Sequence, residues 1–157
     1  MNIAEETTIR LQSNHDPTRA ITGAFLVSNV DPKDKIISNS VFTSSSDTLH
    51  LRNRSTSELM CEFMLPKKEC LCMDISQQAR KAAMGYSDGT LRFVDYSEQK
   101  WAGMLALEEK RGALVEVTAL KFLQSGRNVL AGTSSGNIYM IYIHSWTPLR
   151  LDRQLVV

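Results

Sequence analysis

A surplus of charge of one sign is the first thing this chain lacks. Eighteen Lys and Arg stand against 17 Asp and Glu, leaving +1. Binding along a nucleic-acid backbone or an anionic membrane surface draws on a basic excess, so neither partner is expected. Long apolar runs are missing as well. The longest, IYMIYI at 138–143, falls far short of the roughly 20 residues of a membrane span. The start, MNIAEETTIR, has neither the basic nor the apolar region of a secretory leader. Cysteine is scarce and odd in number, three in all, which suits a reducing compartment better than a disulfide framework. These absences together predict an intracellular, cytoplasmic protein, in which the Asn53-Arg54-Ser55 sequon would carry no glycan.

Constellations that carry chemistry are equally sparse. His15, His50 and His144 stand alone, whereas a general base or a metal ligand needs companions at a defined spacing. Cys70 and Cys72, with Cys61 nearby, alternate as residues on one strand face do, but they do not form the Cys-x-x-Cys pair of zinc sites. They read as small buried hydrophobes. Glycines recur at 85, 89, 126, 132 and 136, yet no Gly-Lys-Ser/Thr and no helix follows them to cradle a phosphate. Ser44-Ser45-Ser46-Asp47 is a candidate phosphoacceptor cluster or a turn; its alignment with other turns favours the turn. No catalytic, metal or cofactor-binding residue is assigned, no cofactor is expected, and the chain is read as not an enzyme.

What the chain does contain is strand signal, repeated. At 157 residues and 43% apolar it has the length and composition of one ordinary domain. Segments 69–76, 89–96, 115–122 and 137–144 are short and rich in β-branched, aromatic or sulfur-bearing residues, with Ser/Asp/Gly turns between them. Segments 58–65 and 100–107 are read as outer strands, and 1–20 as a loose terminal segment or the outer strand of a preceding unit. CLCMDISQQARKAAMGYSDG at 70–89 lies without a gap over VTALKFLQSGRNVLAGTSSG at 117–136, 47 residues on. Gly85 falls on Gly132, Ser87 on Ser134, Asp88 on Ser135 and Gly89 on Gly136. A weaker copy, TSSSDTLHLRN at 43–53, precedes the first by 42. A period of this size, built from about four strands, is that of β-propeller blades.

The stretch CLCMDISQQARKAAMGYSDGTLRFVDY at 70–96 resembles one whole repeat of the WD40-repeat family, Ser-Asp-Gly turn included. The resemblance covers 21–157, strongly in 69–107 and 115–150 and weakly in 21–65. It implies all-β, WD40-like blades of four antiparallel strands, with units 21–65, 69–107 and 115–157. There are departures: the family's Trp-Asp pair is Val94-Asp95, Ile141-Tyr142 and Arg52-Asn53 here, and its Gly-His pair is absent. The His–Asp–Ser/Thr–Trp hydrogen-bond tetrad therefore cannot form, leaving strand ladders and apolar packing to hold the blades. Three blades fall short of the about 4–8 of a closed ring, so an incomplete propeller is expected, part of a longer one or completed by a partner or a second copy.

Each turn glycine has a physical reading. Gly89 and Gly136 supply the positive φ of a tight turn, helped by Asp88 and Ser135 as side-chain acceptors. Gly85 and Gly132 are read as removing a side chain where a neighbouring strand or blade comes close, and Gly103 as an unexceptional outer-strand glycine. In such blades the turns after the second strand and the blade-to-blade connections share one rim. Lys67, Lys68, Glu108, Glu109, Lys110 and Arg111 then form a mixed-charge surface suited to a protein partner more than to nucleic acid. The expected function is a non-enzymatic scaffold for protein–protein contacts in a larger intracellular assembly. The stretch at 85–92 followed by ALVEVTALKF at 113–122 is similar to WD-repeat proteins of the centriole and cilium, which implies a cytoskeletal setting. A catalytic or small-ligand-binding propeller segment, or an RNA-binding one, is the alternative.

Overall fold

The computed structural model describes residues 23–28, 39–44, 48–53, 56, 58–66, 68–107, 115–146 and 149–156. The loose segment read at 1–20 lies outside the described residues. Twelve strands run through them: β1 (Gly23–Ser28), β2 (Asn39–Ser44), β3 (Thr48–Asn53), β4 (Leu59–Met64), β5 (Cys70–Ser76), β6 (Lys81–Tyr86), β7 (Thr90–Asp95), β8 (Lys100–Ala106), β9 (Val117–Phe122), β10 (Asn128–Thr133), β11 (Ile138–Trp146) and β12 (Leu149–Val156). They form three four-stranded sheets, each an antiparallel meander in chain order: β1–β4, β5–β8 and β9–β12. The fold is all-β, three WD40-like blades of an incomplete propeller. The segments read as outer strands are β4 and β8, the fourth strands of their sheets.

Local chemistry explains why the chain turns where it does. At the β6–β7 corner Gly89 takes φ +77° and its N–H donates to the Tyr86 carbonyl at 3.1 Å. The Asp88 carboxylate closes the corner by accepting from the Thr90 hydroxyl at 2.6 Å and the Thr90 amide at 3.1 Å. The β10–β11 corner repeats the plan with Gly136 at φ +86°, its N–H donating to Thr133 O at 3.0 Å. Ser135 stands where Asp88 does, its hydroxyl 2.8 Å from that of Thr133. The β7–β8 corner is built on Asp95, whose Oδ1 accepts from Ser97 N, Ser97 Oγ and Glu98 N.

Packing between sheets forms two apolar layers. One joins Leu49, Leu51, Phe63 and Leu65 of the first sheet and its exit to Cys70, Met73, Met84, Tyr86, Val94 and Tyr96 of the second. The other joins Ala83, Leu91 and Phe93 of the second sheet to Val117, Phe122, Val129, Ala131, Tyr139, Ile141 and Ile143 of the third. The middle sheet is thus covered on both sides, and every residue of β6 is buried. Alternate residues of one strand serve different layers, as Ala83 and Met84 do. Full burial of a side chain such as Leu91 or Phe93 contributes about 1.5–3 kcal/mol. The third sheet is different. Tyr139, Ile141 and Ile143 are buried against the middle sheet, whereas Ile138 on the other face of β11 is 47% exposed. The run IYMIYI is thus buried on one side only.

Candidate interaction rim and the joint between blades

The turns and the connections between sheets meet at one end of the molecule. Ser87 N donates to Glu69 O at 2.9 Å, and 47 residues later Ser134 N donates to Glu116 O, also at 2.9 Å. Each pair ties a corner after the second strand to the chain entering the first strand of its sheet. Leu107 N donates to Gly89 O at 3.0 Å, and a Cβ built on Gly89 would stand 2.6 Å from Val115 O. Leu107, leaving the middle sheet, and Val115, entering the third, therefore both meet the Gly89 corner. Lys68 and Glu69 are exposed here. Burial works against the Asp88 carboxylate, but the Thr90 hydrogen bonds, with Lys68 and Arg92 nearby, outweigh it and hold its carboxyl below the ordinary range. Of the six residues proposed to contact a partner, only Lys68 is placed by the structure. Lys67, Glu108, Glu109, Lys110 and Arg111 lie outside the described residues.

Gly85 and Gly132 sit in different surroundings. A Cβ on Gly85 would lie 2.6 Å from Val117 Cγ1 and 2.7 Å from Cys72 Sγ. Val117 belongs to the next sheet, so Gly85 is a notch into which the neighbouring first strand fits. A Cβ on Gly132 would meet only Ala119 Cβ of its own sheet, at 3.4 Å. Gly103 departs from its reading as unexceptional. Its φ is +152° and a Cβ would come within 2.6 Å of Leu149, because β12 crosses it there.

Two polar clasps join the middle and third sheets, and sequence reading found neither. Asp74 is buried on β5. Its Oδ2 accepts the Phe122 amide at 2.7 Å, and its Oδ1 lies 3.2 Å from Lys121 Nζ. Lys81 and Asp95 form a buried pair at 2.6 Å; the ammonium also donates to Ala79 O at 3.1 Å and lies 5.5 Å from the Trp146 ring centre. Trp146 in turn meets Phe93 edge to face at 5.2 Å. Burial opposes the Asp95 charge, and the bonds from Lys81, Ser97 and Glu98 overcome it, holding its carboxyl low. Blades lacking the family tetrad are thus held by more than ladders and apolar packing. Asp95 occupies the Asp position of the Trp-Asp pair, but its partner is a lysine. The signal available in the sequence was that Asp, with a Lys at the opposite end of the same hairpin.

The cysteines also differ from expectation. A bulge between Cys70 and Cys72 shifts the register, so Cys70 packs into the layer toward the first sheet and Cys72 into the layer toward the third. Burial pushes the Cys70 thiol up to about 11, and burial together with Cys70 pushes Cys72 up to about 12. Such thiols are poor nucleophiles and poor metal ligands. At the opposite end from the rim, Ser76, Gln77, Gln78, Phe122 and Gln124 line a shallow cleft of about 420 Å³ that carries no titratable side chain.

No protein-family profile matches the chain, and no curated protein does. Among solved structures it is similar to the C-terminal WD40 domain of Sif2, at a TM-score of 0.65 and 14% identity over 82% of this chain. The match covers 35% of that chain, so this sequence spans about a third of the structure it resembles. The likeness is one of fold.

Proposed function

We propose that the chain is a non-enzymatic scaffold that holds protein partners through the rim carrying the Ser87–Gly89 and Ser134–Gly136 corners, as part of a larger intracellular assembly. The observation that carries this reading is the paired locking of the rim backbone. Ser87 to Glu69 and Ser134 to Glu116 fix two adjacent corners and leave Lys68, Glu69 and Glu116 exposed above them. A rigid frame with mixed charge at its edge suits recognition of a polar protein surface, since little ordering entropy is lost on docking. The similarity of 85–92 and 113–122 to centriole and cilium WD-repeat proteins suggests a cytoskeletal assembly as the setting.

The test is capture from a cytoplasmic and axonemal extract, with and without nuclease, using the chain and a Lys67→Glu/Lys68→Glu/Lys110→Glu/Arg111→Glu variant. The same proteins are expected with and without nuclease, and they are lost in the variant while its melting temperature holds. Capture that depends on intact RNA, or that survives the charge reversal, overturns the rim as the binding surface.

A further inference from the structure

The first and middle sheets differ at one equivalent pair near their outer edges. The 42-residue offset carries His50 onto Arg92 and Glu62 onto Met104. Strand pairing agrees: His50 stands opposite Glu62 and Arg92 opposite Met104, and both registers slip at the same place, after Leu51 and after Phe93. In the first sheet the buried imidazole meets that carboxylate, with His50 Nε2 2.7 Å from Glu62 Oε2. In the middle sheet a basic side chain is kept, but a thioether stands where the carboxylate would be. Arg92 Nε is buried and has no hydrogen-bond partner among the described residues. Its guanidinium lies 5.5 Å from the Tyr86 ring centre, while the nearby Asp88 carboxylate accepts from Thr90 instead. Arg92 and Val94 share one face of β7, so Met104 and Trp101 opposite them share one face of β8. Met104 is 55% and Trp101 42% exposed, and the Trp101 ring meets Phe63 of the first sheet edge to face at 6.2 Å. From this difference we propose that the outer groove between the first and middle sheets receives an extended segment of a partner protein, which sets a carboxylate on Arg92 and an apolar side chain on Trp101 and Met104.

Charge and spacing set the chemistry of that segment. A guanidinium presents its donors in a planar fork that a carboxylate fills two at a time. A phosphate dianion would suit the same donors but would also meet Asp88, whose carboxyl is held below the ordinary range and is therefore charged at neutral pH. The single charge of Glu or Asp is favoured. Two residues of β7 separate Arg92 from Val94, the residue opposite Trp101. The carboxylate and the apolar group therefore lie two residues apart on an extended chain, about 6.6 Å. The motif is an acidic residue, any residue, then an aromatic or large aliphatic one, in either chain direction. The incoming carboxylate does for Arg92 what Glu62 does for His50 within its own sheet.

The groove lies along the outer strands and the rim at one end of the sheets, so either reading can fail without the other. The probe is a fluorescein-labelled Gly-Phe-Ser-Glu-Ser-Phe-Gly peptide, symmetric so that chain direction does not matter, titrated with the chain by fluorescence anisotropy. Two further peptides carry Gln or phosphoserine in place of Glu. The Glu peptide is expected to bind about tenfold or more tightly than the Gln peptide, as a charge-assisted pair requires, and Arg92→Gln should erase that difference. Met104→Glu gives the middle sheet the cross-strand pair that the first already has. Its carboxylate should engage Arg92 from within and weaken the Glu peptide about tenfold or more, while the melting temperature holds or rises. If Arg92→Gln fails to fold, the Met104→Glu protein decides alone. Equal binding of the Glu and Gln peptides, binding of neither, or tighter binding of the phosphoserine peptide overturns the proposal. So does a Met104→Glu protein that binds the Glu peptide as well as the unchanged chain.

Discussion

Changing Gly85 to Ala isolates the joint between the middle and third sheets. Gly85 is not at positive φ, so the new methyl adds no backbone strain and its effect is one of packing. The Cβ would stand 2.6 Å from Val117 Cγ1, 2.9 Å from Val117 Cβ and 2.7 Å from Cys72 Sγ. Each is well inside the 3.5–4.0 Å of an unstrained carbon contact, so β9 has to move away. Overpacking of this kind costs about 1–3 kcal/mol, set against a gain of about 0.4–1 kcal/mol from restricting the unfolded chain. The net expectation is about 1–2 kcal/mol of destabilisation, a large share of the roughly 5–15 kcal/mol that holds a domain folded. Gly132→Ala is the internal control: its Cβ meets Ala119 at an ordinary 3.4 Å, so only the unfolded-state gain remains. Val117→Ala in the Gly85→Ala background removes the nearest of the three obstructing atoms, Cγ1, and the pair should be less destabilised than the single costs add to, by at least about 0.5 kcal/mol. Urea unfolding followed by the fluorescence of Trp101 and Trp146 measures all four proteins. Equal midpoints for Gly85→Ala and Gly132→Ala, or strict additivity in the cycle, would refute the notch.

Four further outcomes follow from the same geometry. Gly103→Ala should lower the melting temperature more than Gly136→Ala in a thermal scan, because the first adds a collision with Leu149 to positive φ and the second meets nothing within 4 Å. Lys81→Met should cost about 3–5 kcal/mol by stranding the buried Asp95 charge. Because the Asp95 carboxyl is held below its unfolded value, its contribution is present above the ordinary carboxylate range and is lost as pH falls through the folded value; Asp95→Asn should flatten the pH dependence of urea stability in that acid window. Cys70 and Cys72 should alkylate slowly at pH 8 in the native protein and fast in urea, as thiols raised to about 11 and 12 by burial require; equal rates would contradict their placement.

Much of the architecture was legible because blades are local objects. The corners at Gly89 and Gly136 announce themselves through Ser-Asp-Gly and Ser-Ser-Gly, and the strands beside them through β-branched and aromatic runs. What escaped the sequence lies between blades or depends on a slipped register. One bulge in β5 sends Cys70 and Cys72 to opposite faces, and alternation alone would have put them together. Asp74 finds its acceptor role 48 residues away at Phe122, and Lys81 meets Trp146 across a sheet boundary. Gly103 looked ordinary because its constraint is Leu149, on a strand of another blade. The rim was legible in outline, yet of its charged residues only Lys68 can be set against the structure.

Every strand among the described residues pairs only with strands adjacent to it in the chain, which has a consequence for how the protein is made. No sheet waits for a distant segment, so loop-closure entropy stays small and each meander can form as soon as its fourth strand is available. On a ribosome extending the chain at about 5–20 residues per second, a forty-odd-residue sheet emerges every few seconds, far slower than hairpin closure in microseconds. Blades therefore assemble in the order of translation, and each finished sheet is the template on which the next one lies. During that interval the nascent chain always ends in one uncovered apolar face, the Leu91 and Phe93 face before the third sheet arrives and the Ile138 and Met140 face after it.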